Sequence, residues 1–282
     1  MKVLMIGDAE AGKTTYMVSM YKVMADNQNC RIAARNYEDQ RNLLRLAEDL
    51  ARGIYPPRTE TRSSYEFTFR FEHEGETVDF FDFEWIDYRG GAILQSTEDP
   101  VAADLQRFLN EAISLIVFLD FSQLGSPKIK KQWRRLKQFI MNFAARANAS
   151  QKLAITIMFT KCDLDPEHKV AETETFKDIL NLSVSLAGNP NLFGMVAWSA
   201  INRESGGNIF CPFIHSMRFG MLTERDRQIQ ALVKRSFWED VKAVLCGDLI
   251  RQRMNLIEAF VDAMNEMLED KDNQGNANYR LF

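Results

Sequence analysis

The eight residues Gly7-Asp8-Ala9-Glu10-Ala11-Gly12-Lys13-Thr14 constrain this chain more than any other segment. They fit the phosphate-binding pattern G-x-x-x-x-G-K-[ST] at every fixed position. The run Lys2 to Ile6 before them reads as a buried strand, and Thr15 to Met24 after them reads as a helix. Two glycines let the backbone curl until its N–H groups converge beside a helix N-terminus, where partial positive charge favours an anion. The competing reading is an ordinary glycine turn before a helix, and the strand–loop–helix context argues against it.

The rest of the chain supplies a fold in which such a loop makes sense. Strands are expected at Val3–Ile6, Tyr65–Phe71, Val78–Ile86, Ile113–Leu119, Ala154–Phe159 and Phe193–Ala197. Helices are expected at about 13–25, 36–53, 98–110, 127–148 and 172–187. Tyr65 to Phe71 alternates aromatic and polar residues, as a half-exposed strand does. Glu74-Gly75-Glu76 then reads as a hairpin turn. Ser114 to Leu119 is nearly all apolar, as expected for a central parallel strand covered on both faces. Such alternation predicts an α/β fold: a doubly wound, mainly parallel sheet with one antiparallel edge pair. One domain over 1–220 is expected, with a helical insert at about 36–53 capped by Gly53. A helical extension at 221–270 and a polar, frayed tail at 271–282 follow.

Composition narrows the function. The 282 residues are 46% hydrophobic and 26% charged, with net charge −4. That balance supports a sizeable core and argues against bulk nucleic-acid binding. Cys30, Cys162, Cys211 and Cys246 are scattered and form no C-x-x-C pair, so free intracellular thiols are expected. His73, His168 and His215 are equally scattered and suggest no metal cluster. The first strand begins almost at once and leaves no room for a signal peptide. The longest apolar stretch, Ala112 to Phe121, is interrupted by Ser114 and Asp120 and is too short to span a bilayer. A soluble cytoplasmic protein is the expectation.

Further motifs choose among phosphate-loop chemistries. Asp87 stands at the carboxyl end of a strand, with Gly90 three residues on. A carboxylate there can hold Mg²⁺ through water, and the Gly90 N–H can contact a terminal phosphate. The bland alternative is an acidic turn with a glycine stop. Next comes Thr160-Lys161-Cys162-Asp163, at the end of a strand. The Asp163 carboxylate can accept two hydrogen bonds from guanine, from its ring N–H and its amine, a pair adenine cannot offer. The Lys161 stem would pack on the base. Trp198-Ser199-Ala200 follows the next strand, where a backbone N–H could meet the guanine oxygen. The bland alternative for Lys161 and Asp163 is a solvated charged turn.

In this order and spacing the motifs resemble the Ras-like P-loop GTPases of the TRAFAC class, from Met1 to about Ala200. The insert before the first switch and the run Tyr55-Pro56-Pro57-Arg58-Thr59 look most like bacterial members of the double-GTPase kind. The resemblance implies GTP and GDP binding, Mg²⁺ dependence and two switch loops. It assigns the nucleotide to Gly7, Glu10, Ala11, Gly12, Lys13, Thr14 and Thr15 of the loop, to Thr160, Lys161 and Asp163, and to Ser199 and Ala200. Mg²⁺ falls to Thr14, Asp87 and a first-switch threonine, with Thr59 preferred over Thr61. Lys13, Thr59, Arg89 and Gly90 would act on the terminal phosphate.

Departures from the family bear on rate. The water-positioning Gln would directly follow Gly90, and this chain has Gly91 there. Intrinsic hydrolysis is therefore expected to be slow without an activator. Arg89 or Arg58 could neutralise charge in the transition state, although surface salt bridges are the plainer reading of both. Thr160 stands where many members carry Asn. Asp8 and Glu10 are expected to point outward, toward solvent or a partner.

The C-terminal part reads as two helices, Thr223 to Leu245 and Asp248 to Leu268. The second carries an apolar stripe suited to docking on its own domain, or alternatively to homodimerisation. Lys128, Lys130, Lys131, Arg134, Arg135 and Lys137 form a basic run around Trp133; a solvated face is the plain reading, and acidic protein or lipid headgroups the sharper one. The expected partners are guanine nucleotide and an effector or activating protein, through the switch loops or the last helices. A catalytically weak GTP-dependent scaffold is the main alternative function, and a small-molecule kinase a weaker one.

Overall fold

The computed structural model describes residues 1–25, 30–57, 62–73, 76–88, 100–164, 169–198, 212–217 and 279–281. In chain order the elements are β1 (Lys2–Gly7), α1 (Lys13–Ala25), β2 (Cys30–Ala34), α2 (Tyr37–Ala51), β3 (Arg62–His73), β4 (Glu76–Tyr88) and α3 (Pro100–Glu111). Then follow β5 (Ser114–Asp120), α4 (Pro127–Ala144), β6 (Leu153–Thr160), α5 (Glu174–Leu186), β7 (Leu192–Trp198) and β8 (Tyr279–Leu281). A short helix at 212–217 lies between β7 and β8 in sequence.

The strands form one eight-stranded sheet in the order β2-β3-β4-β1-β5-β6-β7-β8. Strands β4, β1, β5, β6 and β7 are parallel neighbours, with Met5 opposite Asp87 and Asp120 opposite Thr160. Strands β2, β3 and β4 are antiparallel, with His73 opposite Glu76 at the hairpin. The expected doubly wound, mainly parallel sheet is present, and its antiparallel edge holds one more strand than the sequence suggests. A further correction concerns the tail. Tyr279–Leu281 is not frayed; it pairs antiparallel with β7.

Alternation along the strands sorts the core into two layers. Val3, Met5, Ile116 and Phe118 face α1, α2 and the 212–217 helix. Leu4, Ile6, Leu115 and Val117 face α3, α4 and α5. Since both faces are covered, β6 is buried along its whole length. The aromatic side of the β3–β4 pair completes the first layer: Trp85 stacks on Phe213 at 5.3 Å between centroids, and Phe67 stacks on Phe83 at 5.2 Å. Each such pair adds about 0.5–1.5 kcal/mol beyond area burial.

Local signals set the helix ends. The Asn36 side chain accepts from Glu38 N and starts α2; Gly53 N bonds to Leu50 O just past its end. Ser126 caps α4, with Pro127 at its first turn, and Thr173 caps α5. The expected ends at 148 and 187 overshoot α4 by four residues and α5 by one. The expected helices within 221–270 lie outside the described residues.

Candidate nucleotide-binding site

The strands β1, β4, β5, β6 and β7 end along one edge of the sheet, and the described site residues stand in the loops after β1 and β6 and at the ends of β4 and β5. This is the rim at which open parallel sheets bind ligands. The phosphate loop leaves β1 at Gly7. A Cβ at Gly7 would lie 2.6 Å from the Phe118 carbonyl oxygen, so β5 admits only glycine there. Gly12 has φ +83, and a Cβ would sit 3.4 Å from Thr160 Cγ2. Its positive φ turns the chain into α1.

Lys13 begins α1, and its side chain folds back over the loop. Its Nζ donates to the Asp8 carbonyl at 2.9 Å and to the Gly7 carbonyl at 3.5 Å. The residue is only 6% exposed. Burial pushes the ammonium below its usual range, while the charges of Asp87 and Asp8 partly oppose the shift. A buried cation whose hydrogen bonds go to neutral carbonyls favours an incoming anion. The residues present therefore fit a phosphate.

The next residue carries the second feature. Thr14 Oγ1 donates to Asp87 Oδ2 at 2.6 Å. Asp87 is fully buried near the end of β4. A hydroxyl and a carboxylate side by side form the oxygen donor set that a hard divalent cation takes. The two are far apart in sequence, and the parallel pairing of β1 with β4 brings them together.

A second turn leaves β6. Thr160 Oγ1 donates to Ala11 O at 2.9 Å and lies 3.3 Å from Leu119 O, so the turn is tied to the phosphate loop. Lys161 has φ 55, and its Nζ meets Asp120 Oδ2 at 2.7 Å. Asp163 follows in a short 3-10 turn, Cys162–Leu164, and is exposed. Among the described residues only Glu10 and Lys161 combine a side chain with positive φ. Each stands in one of these two loops, and such strain concentrates where function demands it.

Two expectations need correction or extension. Glu10 is exposed, whereas Asp8, expected to point outward, does not do so. Its carboxylate accepts from Ala9 N at 2.8 Å and pairs with Lys128 at 2.8 Å, at the start of α4. A carboxylate this close to the loop needs a cation, and α4 provides it. At least half of the basic run pairs within the chain: besides Lys128, Lys130 pairs with Glu174 and Lys137 with Asp178 at 2.7 Å, where Trp133 Nε1 also donates at 2.7 Å. Sequence reasoning missed Asp120 and Lys128 as site residues. The one signal for Asp120 was a charge closing an apolar strand. Thr59, Thr61, Arg58, Arg89, Gly90, Gly91, Ser199 and Ala200 lie outside the described residues.

A mainly parallel sheet with this loop after its first strand and a Thr-Lys-x-Asp turn after its β6 strand defines a P-loop GTPase. The comparisons with known proteins place it more narrowly. The chain belongs to the double-GTPase 2 family, whose sequence model matches residues 3–189. It is thus a GTP-binding, GTPase-type domain. Among solved structures it is similar to an ADP-ribosylation-factor-like small COPII coat GTPase from Encephalitozoon cuniculi in complex with GDP. That match has 11% identity over 81% of this chain and 82% of the other, with a TM-score of 0.36. It is also similar to the S. cerevisiae Ski7 GTPase-like domain bound to GTP, at 12% identity, 71% and 42% coverage and TM-score 0.36. Sup35 complexed with GDP matches at 12% identity, 70% and 36% coverage and TM-score 0.30. The chain spans less than half the length of the Ski7 and Sup35 chains. No curated protein sequence matches it significantly. Among the described residues, no helix is long and apolar enough to cross a membrane.

Proposed function

We propose that this domain binds GTP with Mg²⁺, hydrolyses it to GDP and phosphate, and acts in the cytoplasm as a nucleotide-controlled switch. The observation that carries the reading is the contact between Thr14 Oγ1 and Asp87 Oδ2, beside the buried Lys13. Thr14 and Asp87 would hold Mg²⁺, Asp87 through water, with Thr59 as the third protein group. When bound, Mg²⁺ neutralises charge on the terminal phosphates. Lys13 supplies fixed positive charge beside the same phosphates. The loop backbone from Gly7 to Thr15 wraps them.

Asp163 accepts from the guanine ring N–H and amine, the Lys161 stem lies along the base, and the Ser199–Ala200 backbone meets its oxygen. Water attacks the γ-phosphorus in line, and the bond to the β-phosphate oxygen breaks. Arg89 neutralises developing charge. Thr59 and Gly90 bind the γ-phosphate and release it with the product, which makes their loops switches for an effector or activator.

Titration with GTP and ATP, on the wild type and on Lys13→Ala and Asp163→Ala, tests this reading. Wild type should prefer GTP by at least about 100-fold, because a carboxylate facing adenine loses both hydrogen bonds. Equal affinities would defeat the guanine assignment. Gly91, in place of a water-positioning side chain, supports a second reading: a GTP-dependent scaffold with little turnover. Single-turnover phosphate release separates the two, since a scaffold would bind GTP tightly and release no phosphate over hours.

A further inference from the structure

Lys161 poses a physical problem. Its backbone is left-handed, with φ 55, which costs a residue with a Cβ about 1–2 kcal/mol. Such a conformation persists only where neighbours fix it. The fixing group is Asp120, the last residue of β5. Its Oδ2 accepts from Lys161 Nζ at 2.7 Å, and its Oδ1 accepts from Ser122 Oγ at 2.7 Å. Asp120 itself lies opposite Thr160 in the parallel β5–β6 pairing, so the Lys161 side chain must cross from one strand end to the next. The Asp120 side chain is 14% exposed and the Lys161 side chain 36% exposed.

The same pair governs the residue that follows. Leu164 N bonds to Lys161 O at 3.1 Å and closes the turn that carries Asp163. Asp163 is exposed and has no side-chain anchor among the described residues. Its direction is therefore inherited from Lys161.

We propose that Asp120 is a specificity-determining positioning residue: by pinning Lys161 across the end of β5 it aims the Asp163 carboxylate at the 2-amino group of guanine. The inference rests on the guanine reading given above and adds a residue outside the Thr-Lys-x-Asp motif. Asp120 acts through Lys161. It holds the lysine stem as a flat shelf and keeps the turn in its strained conformation. Ser122 keeps the carboxylate facing the lysine.

Hypoxanthine differs from guanine only in lacking the 2-amino group, so the GDP-to-IDP affinity ratio reports the aim of Asp163. The experiment measures both affinities for the full chain in wild type, Asp120→Ala, Asp120→Asn and Asp163→Ala, with thermal unfolding as a folding check. In Asp120→Ala, GDP should weaken about tenfold and IDP less than about threefold, so the ratio contracts. Asp120→Asn keeps one acceptor oxygen, which can serve Lys161 if Ser122 gives up its bond, and should recover part of the ratio. A Lys161→Met background removes the ion pair, and there Asp120→Ala should change the ratio no further.

Equal weakening of GDP and IDP in Asp120→Ala would reduce Asp120 to a structural residue and overturn the proposal. An unchanged ratio with unchanged GDP affinity would overturn it as well. Asp163→Ala is the separate control. If it leaves the wild-type ratio intact, the guanine reading itself fails, whatever Asp120 does.

Discussion

The Thr160 hydroxyl donates to the Ala11 carbonyl oxygen at 2.9 Å and so joins the turn after β6 to the phosphate loop after β1. Thr160 is 6% exposed, and its methyl group stands where a Cβ on Gly12 would make contact. The bond ties the two halves of the proposed nucleotide site to one another. Thr160→Val keeps the shape and removes the donor. It should cost about 1–2 kcal/mol of stability, because the Ala11 and Leu119 carbonyls lose a buried partner. Nucleotide release should accelerate about tenfold if a similar energy is lost from the bound state. Urea denaturation and the release of a fluorescent GDP analogue measure the two effects. Unchanged release would show that the loops act independently.

Gly7 and Gly12 should differ in severity. Gly7→Ala drives a Cβ to 2.6 Å from a backbone oxygen of β5, which cannot swing aside. A loss of more than about 2 kcal/mol, or failure to fold, is expected. Gly12→Ala meets only the Thr160 side chain at 3.4 Å but must hold φ +83. A loss of about 1 kcal/mol is expected there. Equilibrium unfolding of both variants checks the order.

Lys13 should trade stability for binding. Its folded-state pKa is lowered by burial. Between that lowered value and 10.5 the unfolded chain holds a proton that the folded chain lacks. Stability from this group therefore rises with pH across that window, and the burial cost is greatest below it. Lys13→Met removes the cost. Without nucleotide the variant should be at least as stable as wild type at pH 7, with GTP affinity lost. Chemical denaturation and isothermal titration make the comparison. A variant clearly less stable than wild type would show that the cation is well paid for by its carbonyl partners.

Lys128 should act on the phosphate loop through Asp8. Burial pushes the Asp8 carboxyl upward, but hydrogen bonds from Lys128, Gln132 and the Ala9 N–H outweigh it and leave the pKa lowered. Its contribution to stability is thus present above 3.8 and fades as pH falls through the lowered value. Lys128→Ala should move that fade to higher pH. Because the Lys128 side chain is 71% exposed, the stability loss at pH 7 should stay below about 1 kcal/mol. GTP affinity should fall more than stability, since an unneutralised carboxylate then faces the phosphates. A salt series checks this: the defect should shrink as ionic strength rises.

The elements that the sequence reveals are those whose signals are local. Val3–Ile6 and Ser114–Leu119 announce buried strands by apolar runs, and Gly53 announces the end of a helix by its capping position. β2 has no such signal: Cys-Arg-Ile-Ala-Ala is short and has one large apolar side chain, and only pairing with β3 makes it a strand. β8 sits in a polar tail and is a strand because β7 offers an open edge. The site divides the same way. Lys13, Thr14, Asp87, Thr160, Lys161 and Asp163 stand in recognisable spacings. Asp120 and Lys128 do not, since their roles come from partners in other elements.

The sequence alone determined the phosphate loop, the helix stop at Gly53 and the alternation that builds a covered parallel sheet, because each depends on residues a few positions apart. Only the tertiary structure decided that Thr14 meets Asp87, that Asp8 turns inward to Lys128 and that Asp120 holds Lys161. Those contacts join strands and helices distant along the chain, and strand register sets them rather than any local preference.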